Sequence, residues 1–175
     1  MNRFRKTTMI GVLAVGAVLA VAGTSAAQGF GKQSETSAQS ETPWCSGSDL
    51  VITAHKMHSP SEATTAHHIR LAAAEGVSCK IGGTLSNVRF LDAEGRDMNV
   101  QLAGGQTGHY VELPVDGTHE AAVYVASQIH GPRVNPASIQ FNLPGKGSLG
   151  DSVTVAWPSG LGALVRVGDL MAPAS

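Results

Sequence analysis

The chain has 175 residues and a formal net charge of −1, with 42% hydrophobic and only 14% charged residues. This length suggests one domain with short extensions rather than two domains. Because basic residues are not clustered into a patch or stripe, the composition argues against nucleic acid or an anionic lipid surface as a partner.

The first 27 residues have the layout of a secretory signal peptide. Arg3, Arg5 and Lys6 precede an apolar run over 9–22, and small residues precede a cleavage site after Ala27. That run is too short for a hydrocarbon layer, which needs about 20 apolar residues. We therefore expect export and cleavage, with no membrane insertion of the mature chain; an uncleaved anchor is the alternative.

The next segment, 28–43, is rich in Gln, Ser, Thr, Glu and Gly, and Phe30 is its one bulky apolar residue. Such a composition buries too little apolar surface to offset the entropy of ordering, which predicts a flexible tether. We expect one folded domain over 44–170, followed by a frayed tail at 171–175.

From Trp44 onward, apolar residues alternate with polar ones at a period of two, and Gly, Pro and Asp turns interrupt the runs. This pattern is typical of an antiparallel β-sandwich, here of about eight strands in two packed sheets. The candidate strands lie within 50–55, 69–73, 88–91, 100–102, 110–113, 121–126, 138–143, 153–157 and 164–167. The segment 61–75 also permits helical spacing, so a short helix or loop near 60–65 stays open.

The chain has two cysteines, Cys45 and Cys79, and in an exported protein these are most simply one disulfide. The bond would close a loop of roughly 35 residues, which a chain-entropy treatment values at about 3–4 kcal/mol. Two free buried thiols are the alternative. A zinc site is disfavoured because the cysteines lack the short pair spacing of zinc ligands.

Seven histidines are the main candidates for metal ligands. His55 and His58 flank Lys56-Met57, and if the strand turned at Met57 these side chains would converge, with Met98 as a second soft ligand suited to copper. His67 and His68 are adjacent, so on a strand they point to opposite faces. The favoured interpretation is that the histidines are exposed near loops and bind no metal.

No pattern of residues indicates an enzyme. Ser159 follows Trp157-Pro158 and precedes Gly160, which is a turn sequence rather than a nucleophile elbow. Asp92 and Glu94 are carboxylates two residues apart, but their position before Gly95 favours a turn role over a glycosidase pair.

The region around the cysteines resembles a domain-of-unknown-function family of actinobacterial secreted proteins and lipoproteins. The resemblance rests on Cys45 before Asp49-Leu50, on the turn Cys79-Lys-Ile-Gly82, and on a strand that ends at 92–95. It covers 45–170 and implies an immunoglobulin-like sandwich and export, with no established activity.

The sequence thus predicts an all-β, immunoglobulin-like antiparallel sandwich with one disulfide, secreted, extracellular or associated with the cell wall. We expect a non-enzymatic, monomeric binding or cell-envelope module that needs no cofactor and binds a protein or envelope partner. The alternative is an exported copper-type metal-binding protein with His55, Met57, His58 and Met98 as candidate ligands.

Overall fold

The computed structural model describes residues 41–59, 61–145, 148–162 and 164–174. The predicted signal peptide 1–27 and the first part of the predicted tether, 28–40, lie outside the described residues. Within these ranges, no helix reaches the length and apolar character of a membrane span.

The described residues form an all-β fold, as predicted. After a 3-10 turn at Gly47–Asp49, the strands are β1 Leu50–Met57, β2 Thr64–Ala73, β3 Cys79–Gly82, β4 Ser86–Leu91, β5 Gln101–Leu102, β6 Glu112–Val115, β7 Ala121–Gln128, β8 Arg133–Val134, β9 Ser138–Gly145, β10 Ser148–Ala156, β11 Leu161–Gly162 and β12 Leu164–Met171. Their number exceeds the expected eight partly because β5, β8 and β11 have only two residues each.

The larger sheet has the strand order β1-β2-β7-β12-β5, and a smaller sheet has the order β10-β9-β4. Pairing is antiparallel throughout these sheets except between β12 and β5, which run parallel. Two further antiparallel pairs, β11 with β8 and β3 with β6, complete the described strands. This arrangement is consistent with a β-sandwich.

The core forms where the alternating apolar residues of the two sheets meet. In β9, every second residue from Ile139 through Phe141 to Leu143 is buried, as the period of two predicts. The larger sheet contributes the same pattern from β2 and β7 to a single apolar cluster. Phe90 and Trp157 complete it, with their rings edge to face at 5.1 Å.

Near 61–65, where the sequence left a short helix or a loop open, a turn covers 61–63 and β2 begins at Thr64. Two local expectations are corrected. The predicted turn at Cys79 is strand β3. Pro114 and Pro144, which were expected to end strands, lie inside β6 and β9. At each proline, the strand is paired with a neighbouring strand on one edge only. A proline is tolerated there because the unpaired edge needs no backbone N–H donor.

Both ends of the described domain are hydrogen-bonded to it. Before Trp44, the carbonyl of Pro43 accepts from the backbone N–H of Lys80 at 2.8 Å, and Glu41 pairs with the Lys80 ammonium at 3.0 Å. At the other end, Met171 is the last residue of β12, and the Ala174 N–H donates to the Tyr124 hydroxyl at 2.8 Å.

The predicted disulfide is confirmed. Cys45 and Cys79 are bonded, with their Cα atoms 5.1 Å apart. The bond ties the segment before β1 to β3, and the Cys79 side chain is buried in the core.

Candidate functional site

The four predicted metal-ligand candidates do not converge. His55 and Met57 lie on the outward-facing side of β1, and His58 directly follows that strand. Met98 lies beside β4 of the smaller sheet, where its N–H donates to the carbonyl of Phe90 at 2.9 Å. Among the described residues, no three His, Cys, Asp or Glu side chains form a group that could hold a metal ion.

A different group, a row of three rings, crosses the outer face of the larger sheet. His68 on β2 is directly opposite His55 on β1 and Tyr124 on β7. The ring centroids are 5.2 Å apart for the two histidines and 6.3 Å apart for His68 and Tyr124. Burial, and then the neighbouring His55 and Arg70, lowers the pKa of His68, which favours the neutral imidazole.

His67 faces the other way and is the candidate site residue that sequence reasoning missed. The histidines were expected near loops and exposed, yet His67 has no exposed surface. Its ring contacts Trp157, with centroids 4.6 Å apart. The signal was present in the alternation of β2, because His67 shares the inward face of Ile69 and Leu71.

His67 forms a hydrogen bond with Ser159, in the turn after β10. The His67 Nε2 to Ser159 Oγ distance is 2.7 Å, although 92 residues separate the two in sequence. A Ser–His pair of this kind resembles part of a nucleophilic site, so the state of the imidazole decides what the pair can do.

The surroundings of His67 favour one neutral form of its ring. Burial, and then the charge of Lys56, lowers the pKa of His67 from 6.5 to about 4. Its Nδ1 atom is buried and has no hydrogen-bond partner in the described part of the chain. A buried N–H without an acceptor is rarer in proteins than an unpaired acceptor, so we assign the proton to Nε2. His67 then donates to the Ser159 oxygen, which leaves the Ser159 O–H free to donate elsewhere.

Two glycines fix the backbone beside this pair. A Cβ on Gly162 would lie 1.4 Å from the carbonyl oxygen of Gln128, so only glycine allows this close approach of β11 to β7. A Cβ on Gly160 would lie 2.6 Å from Oδ1 of Asn135. The Gly162 N–H donates to the Ser127 hydroxyl at 2.9 Å, which anchors the turn that carries Ser159.

Ser159 lines a cavity of about 200 Å³ at this end of the domain, and no carboxylate of the described residues lines it. Strand pairing places two basic residues beside the site. Lys56 is the cross-strand partner of His67, and Arg133 is the cross-strand partner of Gly162. Both line the cavity. The remaining lining residues are Thr65, Ile129, Asn135, Gly160, Leu161 and Gly162.

The carboxylates considered for a glycosidase pair are engaged in a turn. Asp92 accepts the backbone N–H groups of Glu94 and Arg96 at 3.0 and 2.8 Å. Both carboxylates also pair with the Arg96 guanidinium, at 2.8 Å for Asp92 and 3.0 Å for Glu94. The hydrogen bonds from Arg96 lower the pKa of Asp92, as expected of a structural turn residue.

Comparisons with known proteins give no relative. No family model, no curated protein and no solved structure matches this chain. The function of the chain must therefore be inferred from the geometry around Ser159 and from the row of three rings.

Proposed function

We propose that this protein is an exported, non-enzymatic β-sandwich that acts as a binding module, secreted or associated with the cell envelope, with the cavity beside Ser159 as its ligand site. Export is supported by the signal-like residues 1–27 and by the disulfide between Cys45 and Cys79, since disulfides persist mainly outside the cytoplasm. The resemblance to the actinobacterial secreted family remains a prediction with the same implication.

The observation that carries the proposal is the state of the Ser159–His67 pair. A general base works best with a pKa near the operating pH, and a histidine with a pKa of about 4 is a weak base at pH 7. No carboxylate orients its Nδ1 within the described residues, whereas the nucleophilic triads have such a group there. With the proton on Nε2, the pair presents a hydroxyl donor to the cavity, which is a binding function rather than an attacking one.

Reaction with a fluorophosphonate, which labels activated serines, tests this proposal. We expect intact-mass spectrometry of the mature protein at pH 7–8 to show no adduct above that of Ser159→Ala. The matched control is Ser152→Ala, which removes an exposed serine hydroxyl from β10, away from His67. A stoichiometric adduct that maps to Ser159 and disappears in Ser159→Ala would contradict a purely binding role.

A second function, transition-metal binding, is favoured by the facing pair of His55 and His68. The imidazoles of His55 and His68, on directly paired residues, are stacked with centroids 5.2 Å apart, so a change of rotamer would direct a nitrogen of each at one ion, and imidazole suits zinc and copper. This pair differs from the ligand set predicted from the sequence. That set included Met98, which the structure places beside the smaller sheet. With only two protein ligands, solvent or a partner would complete the coordination.

The double variant His55→Ala/His68→Ala tests the metal site. We expect saturable binding of Zn²⁺ or Cu²⁺ to the wild type, followed by calorimetry, to be lost in this variant. It should persist in His109→Ala/His130→Ala, which removes two other exposed imidazoles. Equal losses in both double variants would mean that the histidines bind metal independently and would reject the paired site.

A further inference from the structure

We propose that the cavity beside Ser159 binds a small oxyanion, a phosphate or carboxylate group, held by Lys56 and Arg133 with the Ser159 hydroxyl as a neutral donor. This inference rests on the proposed binding function and names the chemistry of its ligand. It follows from the charge of the cavity, from its donors and from its size.

The charges are the first step. Arg70 and Lys80 are neutralised by Glu120 and by Glu41 and Glu112, and Arg96 by Asp92 and Glu94. Lys56 and Arg133, in contrast, form no ion pair within the described residues, and both line the same cavity. Two such cations, at a cavity that no carboxylate of the described ranges lines, create a local positive potential in a chain whose net charge is negative.

The donors are the second step. An arginine guanidinium offers parallel N–H groups that match the two oxygens of a carboxylate or phosphate, and a lysine ammonium adds a compact charge. The Ser159 hydroxyl adds a neutral donor because His67 occupies its oxygen as the hydrogen-bond donor. This arrangement gives a buried histidine a role that core packing alone does not explain, since it fixes the direction in which Ser159 donates.

The size is the third step. A water molecule takes roughly 30 Å³ of liquid, so a cavity of about 200 Å³ holds the equivalent of about six or seven waters. That is room for one oxyanion with its immediate substituent. Lys56, Thr65 and Ile129 also line a neighbouring cavity of about 500 Å³, so the anionic group is either a free small anion or the terminal group of a larger ligand.

Titration with sodium phosphate and with sodium acetate tests the proposal, with amide and arginine side-chain NMR signals as the readout. We expect saturable shifts that cluster at Arg133 and 159–162. Lys56→Gln/Arg133→Gln should weaken binding by about 10- to 100-fold, as expected for losing charged hydrogen bonds, and Ser159→Ala by about 2- to 10-fold. If phosphate binds more tightly than acetate, the anionic group of the ligand is a phosphate. If acetate binds more tightly, that group is a carboxylate.

The matched control is Arg89→Gln/Arg166→Gln, which makes the same change in net charge at two exposed arginines outside the cavity. Retained affinity in this control supports the site, while an equal loss in both double variants would show general electrostatic attraction and overturn it. Absence of localised shifts with both anions would also overturn the oxyanion assignment. That outcome leaves the proposed function standing, because its test is the reactivity of Ser159 rather than anion affinity.

Discussion

Replacing Cys45 and Cys79 together by alanine is expected to lower the free energy of unfolding by about 3–4 kcal/mol. The bond joins residues 34 apart in sequence, so it removes a large set of open conformations from the unfolded chain. This loss is a large share of the roughly 5–15 kcal/mol that stabilises a typical domain. Urea unfolding of the double variant and of the wild type, with and without reductant, measures it.

The double variant should keep the fold at neutral pH, because backbone hydrogen bonds also hold the segment before β1. The Cys45 N–H donates to the Lys80 carbonyl at 2.9 Å, and the Lys80 N–H donates to the Pro43 carbonyl at 2.8 Å. Ser48→Ala, an exposed change in the same segment, is the control and should alter stability little. A loss under about 1 kcal/mol in the double variant, or two titratable thiols in the exported protein, would contradict this account.

Acidification from pH 6.5 to pH 4 is expected to remove about 3 kcal/mol of stability through His67 alone. The unfolded chain binds a proton at this histidine below about pH 6.5, whereas the folded chain does so only near pH 4. Between these values the unfolded state binds more protons, so the free energy of unfolding falls as the pH falls. Below the folded value, the contribution of His67 is fully lost.

Unfolding curves at several pH values for the wild type and His67→Gln isolate this contribution. The variant should be less stable at pH 7, and its stability should depend less steeply on pH between 6.5 and 4. His68 has a lowered pKa as well, so some dependence of the same sign remains in the variant. His130→Gln, at an exposed position, is the control and should follow the wild type. Parallel curves for the wild type and His67→Gln over this window would show that His67 is not held neutral by burial.

The sheets could be largely predicted from the sequence, because burial on one face of a strand produces alternation. β7 and β9 follow the predicted segments closely, since their inward residues are apolar and their outward ones small or polar. The errors fall where local rules have exceptions. Pro114 and Pro144 were interpreted as strand ends, but a proline is compatible with a strand wherever one side of the ladder is free.

The candidate site could not be predicted in the same way, because it depends on pairing between distant parts of the chain. His67 and Ser159 meet across 92 residues, and Lys56 and Arg133 reach the same cavity from strands on two different sheets. Nothing in the local sequence of Ser159 marks it, since Trp157-Pro158-Ser159-Gly160 is an ordinary turn. The pairing of His55 with His68 likewise follows only from the register of β1 and β2.

The position of the proton on His67 tests the central claim most directly. Long-range ¹H–¹⁵N correlation spectra of the ¹⁵N-labelled protein at pH 7 distinguish a protonated from a bare ring nitrogen. Our account predicts a neutral ring with the proton on Nε2, so that Ser159 accepts from His67 and donates into the cavity. A proton on Nδ1, with the Nε2 lone pair directed at the Ser159 hydroxyl, would contradict it and would describe a serine prepared for nucleophilic attack.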